Sequence, residues 1–97
     1  MQLIMYSKPG CHLCEGLEEK LQIIRATLNF DLEIRDITTR PDWFNTYEYE
    51  IPVICRVSAG KEELLPRASP RASTMQLQQM LQKYLSSDGQ SAQLGEV

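Results

Sequence analysis

The chain has 97 residues, 42% of them apolar and 24% charged, and ten Lys and Arg against thirteen Asp and Glu leave a net charge of −3. This length allows one domain with a single modest core. The acidic balance argues against nucleic acid or an anionic membrane as the main partner. The sequence shows neither an apolar stretch of ~20 residues nor the features of a secretion signal. We therefore expect a cytoplasmic protein, and a monomer.

The first predicted element is a strand over residues 2–6, a nearly continuous apolar run typical of a central strand. Residues 7–10 form a turn because they contain Pro9 and Gly10. A helix follows from Cys11 or His12, and its predicted buried stripe is Leu13, Leu17, Leu21, Ile24 and Leu28. Residues 32–37 alternate as an edge strand does. This strand–helix–strand unit predicts a right-handed crossover between parallel strands.

The second half of the chain predicts a helix, a hairpin and a last helix. Residues 40–48 form a short helix, and residues 51–57 form a third strand rich in β-branched side chains. A turn at 58–61 leads to a fourth strand at 62–65. Ser73 and Gln76 form a capping box at the start of the last amphipathic helix. Residues 86–97 are rich in polar residues and predict a flexible tail, so the domain is expected to span residues 1–85.

Cys11 and Cys14 lie three residues apart where the first helix is predicted to begin. This spacing places their Cα atoms within the ~4.4–6.8 Å that a disulfide requires. A bond that closes so short a loop adds little stability, and structural disulfides are uncommon in the cytoplasm. The pair is therefore interpreted as a dithiol redox site. Cys55, in the third strand, is expected to be a buried small apolar side chain.

The order βαβ, α, ββ, α, with Cys-x-x-Cys opening the first helix and a proline opening the third strand, resembles a minimal thioredoxin fold. That α/β fold has a four-stranded mixed sheet flanked by three helices. Residues 6–14 resemble the active-site segment of small glutaredoxin-like proteins, and residues 50–53 resemble the segment that carries the family's cis-proline. The resemblance implies a thiol–disulfide oxidoreductase in which Cys11 attacks and Cys14 resolves the mixed disulfide.

The resemblance also implies further site residues. Lys8 matches a lysine that meets a glutathione carboxylate in glutaredoxins, and His12 is expected to favour the thiolate of Cys11. For both, an exposed side chain without a role is the alternative. Pro52, if cis, places the backbone of Ile51 opposite Cys11, where it pairs with an incoming peptide or thiol.

The expected substrates are protein disulfides or low-molecular-weight thiols, and no bound cofactor is expected. Glutathione is a candidate co-substrate. However, glutathione-dependent glutaredoxins carry a Gly-Gly pair and an acidic residue before the last helix, and residues 65–74 lack the glycines. The resemblance therefore does not imply the complete glutathione-binding site of those enzymes.

Two other functions remain open. The first is metal binding. Cys-x-x-Cys supplies two of the four ligands of a zinc site, and His12 and Cys55 would nominally supply the other two. Alternatively, two copies of the chain could share an iron–sulfur cluster through Cys11. A thioredoxin-fold binding domain without turnover also fits the sequence. Weaker hypotheses concern three other places. Arg40 could help to hold an anion, and Ser73 and Thr74 could either bind a carboxylate or cap the last helix. The aromatic residues of 43–49 are expected in the core or along a groove.

Overall fold

The protein has a four-stranded sheet in the order β2-β1-β3-β4, flanked by three helices. The structure is a computed structural model and describes residues 2–67, 69 and 71–94. Its strands are β1 (Gln2–Ser7), β2 (Asp31–Asp36), β3 (Val53–Ser58) and β4 (Lys61–Leu64), and its helices are α1 (His12–Leu28), α2 (Pro41–Tyr47) and α3 (Thr74–Leu94). β1 pairs in parallel with β2 and antiparallel with β3, which pairs antiparallel with β4. The predicted minimal thioredoxin fold is confirmed.

The sheet separates two apolar clusters, because successive residues of a strand point to opposite faces. Leu3 and Met5 of β1 pack in one cluster with side chains of α1 and α3. Ile4 and Tyr6 pack in the other, against side chains of α2. All four are at most 2% exposed, which confirms β1 as the central strand predicted from its apolar run. β2 lies at the edge, also as predicted.

Helix α1 packs against the sheet through a stripe that differs from the predicted one at its first position. Leu13 was expected to be buried but is 57% exposed, whereas Cys14 is 2% exposed. The stripe therefore begins at Cys14 and continues through Leu17 and Leu21, at alternating spacings of three and four residues, as a helical period requires. A leucine one residue out of this register faces away from the core.

The boundaries of the second and third strands also differ from the predicted ones. Ile37 was predicted to end the second strand, but it is buried at the start of a 3₁₀ turn, Ile37–Thr39. The turn forms here because the side chain of Asp36 accepts the N–H of Thr38 at 2.9 Å. The third strand begins at Val53 instead of residue 51, since the chain first passes through the Ile51–Pro52 peptide.

The start of α3 confirms the predicted capping box. Ser73 Oγ accepts the N–H of Gln76 at 3.1 Å, and Gln76 Oε1 accepts the N–H of Ser73 at 2.9 Å. The backbone of α3 runs on as helix to Leu94, and the domain boundary at residue 85 stays a prediction. Residues 95–97 of the predicted tail lie outside the described residues, and its flexibility stays a prediction. Within the described ranges, no helix has the length and hydropathy of a membrane span.

Candidate active site

The reactive segment begins with a tight turn after β1. Cys11 N–H donates to the carbonyl of Lys8 at 3.3 Å, which closes a four-residue turn over Pro9 and Gly10. Gly10 has φ = 82°, the left-handed conformation that the third position of a type II turn requires, and proline is favoured at the second. This turn carries the chain from the end of the sheet directly into the first turn of α1.

Cys11 is the residue that caps α1. Its Sγ accepts the N–H of Cys14 at 3.2 Å, and its backbone is extended, as a capping residue requires. The two cysteines lie at disulfide distance, with their Cα atoms 5.2 Å apart. Cys11 is half-buried and Cys14 is buried. A sulfur at this position receives both a hydrogen bond and the positive end of the helix dipole, which stabilise a thiolate.

The structure places the two predicted cationic neighbours in different surroundings. The imidazole of His12 is 93% exposed, and its Nδ1 lies 3.4 Å from Glu15 Oε1. Lys8 is exposed beside a small cleft that Glu15, Glu18 and Asp36 also line. Lys8 therefore lies close to Cys14 with acidic side chains beside it, and its role in binding a carboxylate stays a prediction.

Pro52 and His12 line a groove of about 540 Å³ that runs beside the first turns of α1, where His12 and Leu13 between the two cysteines line it but the cysteines themselves do not. The Ile51–Pro52 peptide is cis, as the resemblance implied. The N–H of Ile51 donates to the carbonyl of Tyr47 at 3.1 Å, so a substrate backbone would have to pair with the Ile51 carbonyl instead. Tyr47 lines the groove, as one of the aromatic residues was expected to, whereas Tyr49 is 87% exposed.

Several groove residues had no predicted role at a site, among them Gly16 in α1, Leu64 in β4 and Arg67. Gly16 had a detectable signal, since glycine is unfavourable inside a helix and requires a reason there. Leu64 and Arg67 had none, because only the folded sheet brings the end of β4 alongside α1.

Cys55 lies on the other face of the sheet from the dithiol. It is 1% exposed and packs with Ile4, Tyr6 and Ile37, which confirms the predicted burial. Burial raises the pKa of its thiol to about 11, and the charge of Glu62 adds to the effect. Among the described residues, no three His, Cys, Asp or Glu side chains gather as metal ligands. The sheet therefore keeps Cys55 away from the half-site that Cys11 and Cys14 would supply.

A polar network crosses the face of the sheet that holds Cys55. Arg35 of β2 donates to Glu33 Oε2 at 2.6 Å, to the Tyr6 hydroxyl at 2.9 Å and to Glu62 Oε2 at 3.0 Å. The Tyr6 hydroxyl in turn donates to Glu62 Oε1 at 2.5 Å. Burial, and then the carboxylate of Glu62, raise the pKa of Tyr6 above its ordinary value. The network joins the two edge strands, β2 and β4, across the centre of the sheet.

The remaining candidates have structural partners. Arg40 donates to both carboxylate oxygens of Asp42, at 3.0 and 3.1 Å, and this contact lowers the pKa of Asp42. Ser73 serves the capping box described above. These contacts account for both side chains without a bound anion.

Solved structures that are similar to this chain have a thioredoxin-like fold. Thioredoxin 1 from Thermosipho africanus TCF52B is similar with a TM-score of 0.64 and 17% sequence identity, over 92% of this chain and 99% of that one. The Northeast Structural Genomics target protein XcR50 from X. campestris is similar with a TM-score of 0.58 and 25% identity, over 84% of this chain and 96% of that one. A search of curated proteins finds no significant match.

The family comparison covers most of the chain. The profile of the family described as Glutaredoxin-like domain (DUF836) matches residues 2–82. These residues include every strand, the turn at Pro9 and Gly10, both cysteines of the motif and the cis-proline. The chain therefore belongs to the glutaredoxin-like domain family, with a thioredoxin-like fold and a cysteine pair at disulfide distance.

Proposed function

We propose that the protein is a thiol–disulfide oxidoreductase in which Cys11 is the attacking thiol and Cys14 the resolving thiol. The observation that supports this most directly is the position of Cys11 Sγ at the N-terminus of α1, where it accepts the N–H of Cys14 at 3.2 Å. The thiolate is the nucleophilic form of cysteine, and this setting lowers the pKa of a free thiol from ~8.5 towards roughly 3.5–7.5.

The proposed reaction transfers two electrons to the substrate. The Cys11 thiolate attacks one sulfur of a substrate disulfide, a bond forms between the two sulfurs, and the other substrate sulfur leaves as a thiolate. Cys14, deprotonated in turn, attacks Cys11 Sγ and displaces the second substrate thiolate. The product is a Cys11–Cys14 disulfide, which the 5.2 Å distance between the two Cα atoms permits. Burial of Cys14 suits this order, because an incoming disulfide reaches the half-buried Cys11 first.

On this proposal, protein disulfides or small thiol compounds are the substrates, and the two cysteines carry the electrons without a resident cofactor. Pro52 and the Ile51 carbonyl would align the substrate along the groove. His12, between the cysteines, would favour the thiolate of Cys11 when protonated. Glutathione is a candidate electron donor to the oxidised pair, as is a thioredoxin reductase system.

The test combines a trapping experiment with a redox titration. Cys14→Ser is expected to hold a disulfide substrate as a stable mixed disulfide on Cys11, detected by intact mass, whereas Cys11→Ser forms none. Cys55 is present in both variants and serves as the internal control, since its burial should keep it unlabelled in the folded protein. Full dithiol turnover by Cys14→Ser would contradict the assignment.

The redox titration equilibrates the wild-type protein separately with glutathione and with thioredoxin. Equilibration gives the reduction potential of the pair and identifies the donor; equilibration with neither would favour a binding domain without turnover. Colour and iron in the purified protein would favour a cluster shared through Cys11 instead.

A further inference from the structure

Gly16 lies in the second turn of α1 and has no packing reason to be glycine. Alanine is more favourable than glycine inside a helix, because glycine loses more backbone freedom on folding. A Cβ built on Gly16 meets no heavy atom within 4 Å, and its φ is not positive. The space in front of Gly16 belongs to the groove. The missing side chain therefore widens the groove at a cost in helix stability.

The groove has the length of a short extended peptide. On α1 it is lined from His12, beside the reactive sulfur, to Lys20. A helix advances ~1.5 Å per residue, so these positions are about 12 Å apart along the axis. An extended chain covers ~3.3 Å per residue, so about three to four residues would fill this length.

The lining of the groove favours apolar side chains. Leu13 and Leu64 both line it, and they are 57% and 66% exposed, respectively. The basic groups on its border already bind the chain itself: Lys20 donates to the carbonyl of Ala72 at 2.7 Å, and Arg67 donates to the carbonyl of Glu50 at 2.6 Å. Arg67 is also paired with the carboxylate of Glu50. These contacts hold the walls of the groove together.

From these features we infer that the groove binds an extended segment of a protein substrate, with an apolar side chain next to the attacked cysteine and the substrate backbone passing over Gly16. The inference rests on the proposed function, since the reaction at Cys11 requires that the occupant carry a disulfide. His12 and Leu13, the two residues between the cysteines, line the groove, so a substrate cysteine at Cys11 places its neighbouring residues in it. Glutathione, a small charged tripeptide, matches this surface poorly.

The experiment uses three probes with the same aromatic thiol in disulfide linkage to a cysteine. The cysteine belongs to a short peptide with leucine on both sides, to the same peptide with glycine on both sides, or to glutathione. The Cys11 thiolate of the reduced full-length protein attacks the cysteine sulfur, and the aromatic thiolate leaves with the bonding electrons and is followed by absorbance. Cys14 then displaces the peptide thiol and forms the disulfide with Cys11.

We expect the leucine probe to react on the order of tenfold faster than the glycine probe, the discrimination that an apolar pocket commonly gives. Gly16→Leu should bring the rate of the leucine probe down to that of the glycine probe. Ala26→Leu adds the same side chain to an exposed position of α1 outside the groove and should retain the preference. Gly16→Ala should raise the melting temperature and still slow the leucine probe, a combination that a purely structural glycine would not give.

Equal rates for the three probes, a preference for glutathione, or an unchanged preference in Gly16→Leu would overturn the inference while leaving the redox function intact. Release of the aromatic thiolate at the same rate by the wild-type protein and by Cys11→Ser would refute the proposed function, and this inference with it.

Discussion

Replacing Arg35 by methionine should destabilise the protein far more than replacing Arg40, although both guanidinium groups lie 5.1 Å from the ring of Trp43. Arg35 is 20% exposed at its side chain and binds partners on three strands, whereas Arg40 is 58% exposed and binds Asp42, two residues away. Methionine keeps most of the apolar stem that an arginine packs against its neighbours. The variant therefore removes the charge and the hydrogen bonds with little loss of contact.

The expected loss follows from the individual contacts of Arg35. Glu33 and Glu62 are 42% and 39% exposed, so each ion pair is screened by water and contributes about 0.5 kcal/mol. The hydrogen bond to the hydroxyl of Tyr6, which is 2% exposed, contributes about 1 kcal/mol. The contact with the aromatic rings adds roughly 0.5–1 kcal/mol. Arg35→Met should thus lower the free energy of unfolding by about 2–3 kcal/mol, or about 10–20 °C in melting temperature for a domain of this size.

Thermal and urea unfolding of Arg35→Met and Arg40→Met, measured side by side, test this estimate. Arg40→Met should change the melting temperature little, because an exposed pair two residues apart is weak. A double-mutant cycle of Arg35→Met with Glu62→Gln should show a coupling energy above ~0.5 kcal/mol, since the two side chains are in contact. Equal destabilisation by the two arginine variants, or additive effects in the cycle, would show that the network does not join the edge strands energetically.

Three further predictions concern single residues. Ala59 and Gly60 form the two-residue turn between β3 and β4 with φ of 54° and 78°, a conformation that favours Asn-Gly. Ala59→Asn should therefore raise the free energy of unfolding by about 0.5–1 kcal/mol in urea titrations. An unchanged urea midpoint would contradict this. Gly10→Ala should lower the free energy of unfolding by about 1 kcal/mol. The open space around Gly10 leaves its positive φ as the only source of this loss. An unchanged stability would show that the positive φ does not disfavour alanine here. In the folded protein burial raises the pKa of Cys55 to about 11, against an ordinary value of 9.0 in the unfolded chain. The unfolded chain therefore loses this proton at a lower pH than the folded protein does. Stability of the oxidised protein should therefore fall by on the order of 2 kcal/mol between pH ~9 and pH ~11, and Cys55→Ala should fall less steeply; identical slopes would exclude Cys55 as the cause.

Most of the fold could be predicted because it depends on patterns local to each element. Each of three patterns favours a local structure that the folded chain adopts. They are the apolar run of β1, the alternation in β2, and the glycine and proline of the reactive turn. The error at Leu13 came from the same kind of pattern, because its spacing from Leu17 fits a helical stripe. Cys14 fits the stripe as well, and counting cysteine as an apolar residue would have moved the start to the correct position.

The groove and the polar network could not be predicted, because both depend on which strands become neighbours. Arg35 and Glu62 are 27 residues apart in the sequence, and their contact requires the order β2-β1-β3-β4. Leu64 likewise reaches the groove through the position of β4 beside β3. Residues two apart in a strand share a face, so Glu33 and Arg35 lie on the same face of β2. This alternation carries no information about what lies across from them.

The division of the sheet into two faces separates stability from reactivity in this molecule. The face of α1 and α3 carries Cys14, and the groove begins at the same end of α1, whereas the face of α2 carries Cys55 and most of the contacts of Arg35. β1 lies between them with Leu3 and Ile4 fully buried on opposite sides. This packed strand separates the network from Cys14, and a second connection runs through α2, where Tyr47 stacks on Tyr6 and also lines the groove. We expect Arg35→Met to unfold at a lower temperature with the reduction potential of Cys11–Cys14 unchanged. A shifted potential in that variant would mean that β1 or α2 transmits the change to the reactive segment, and that the two faces act as one unit.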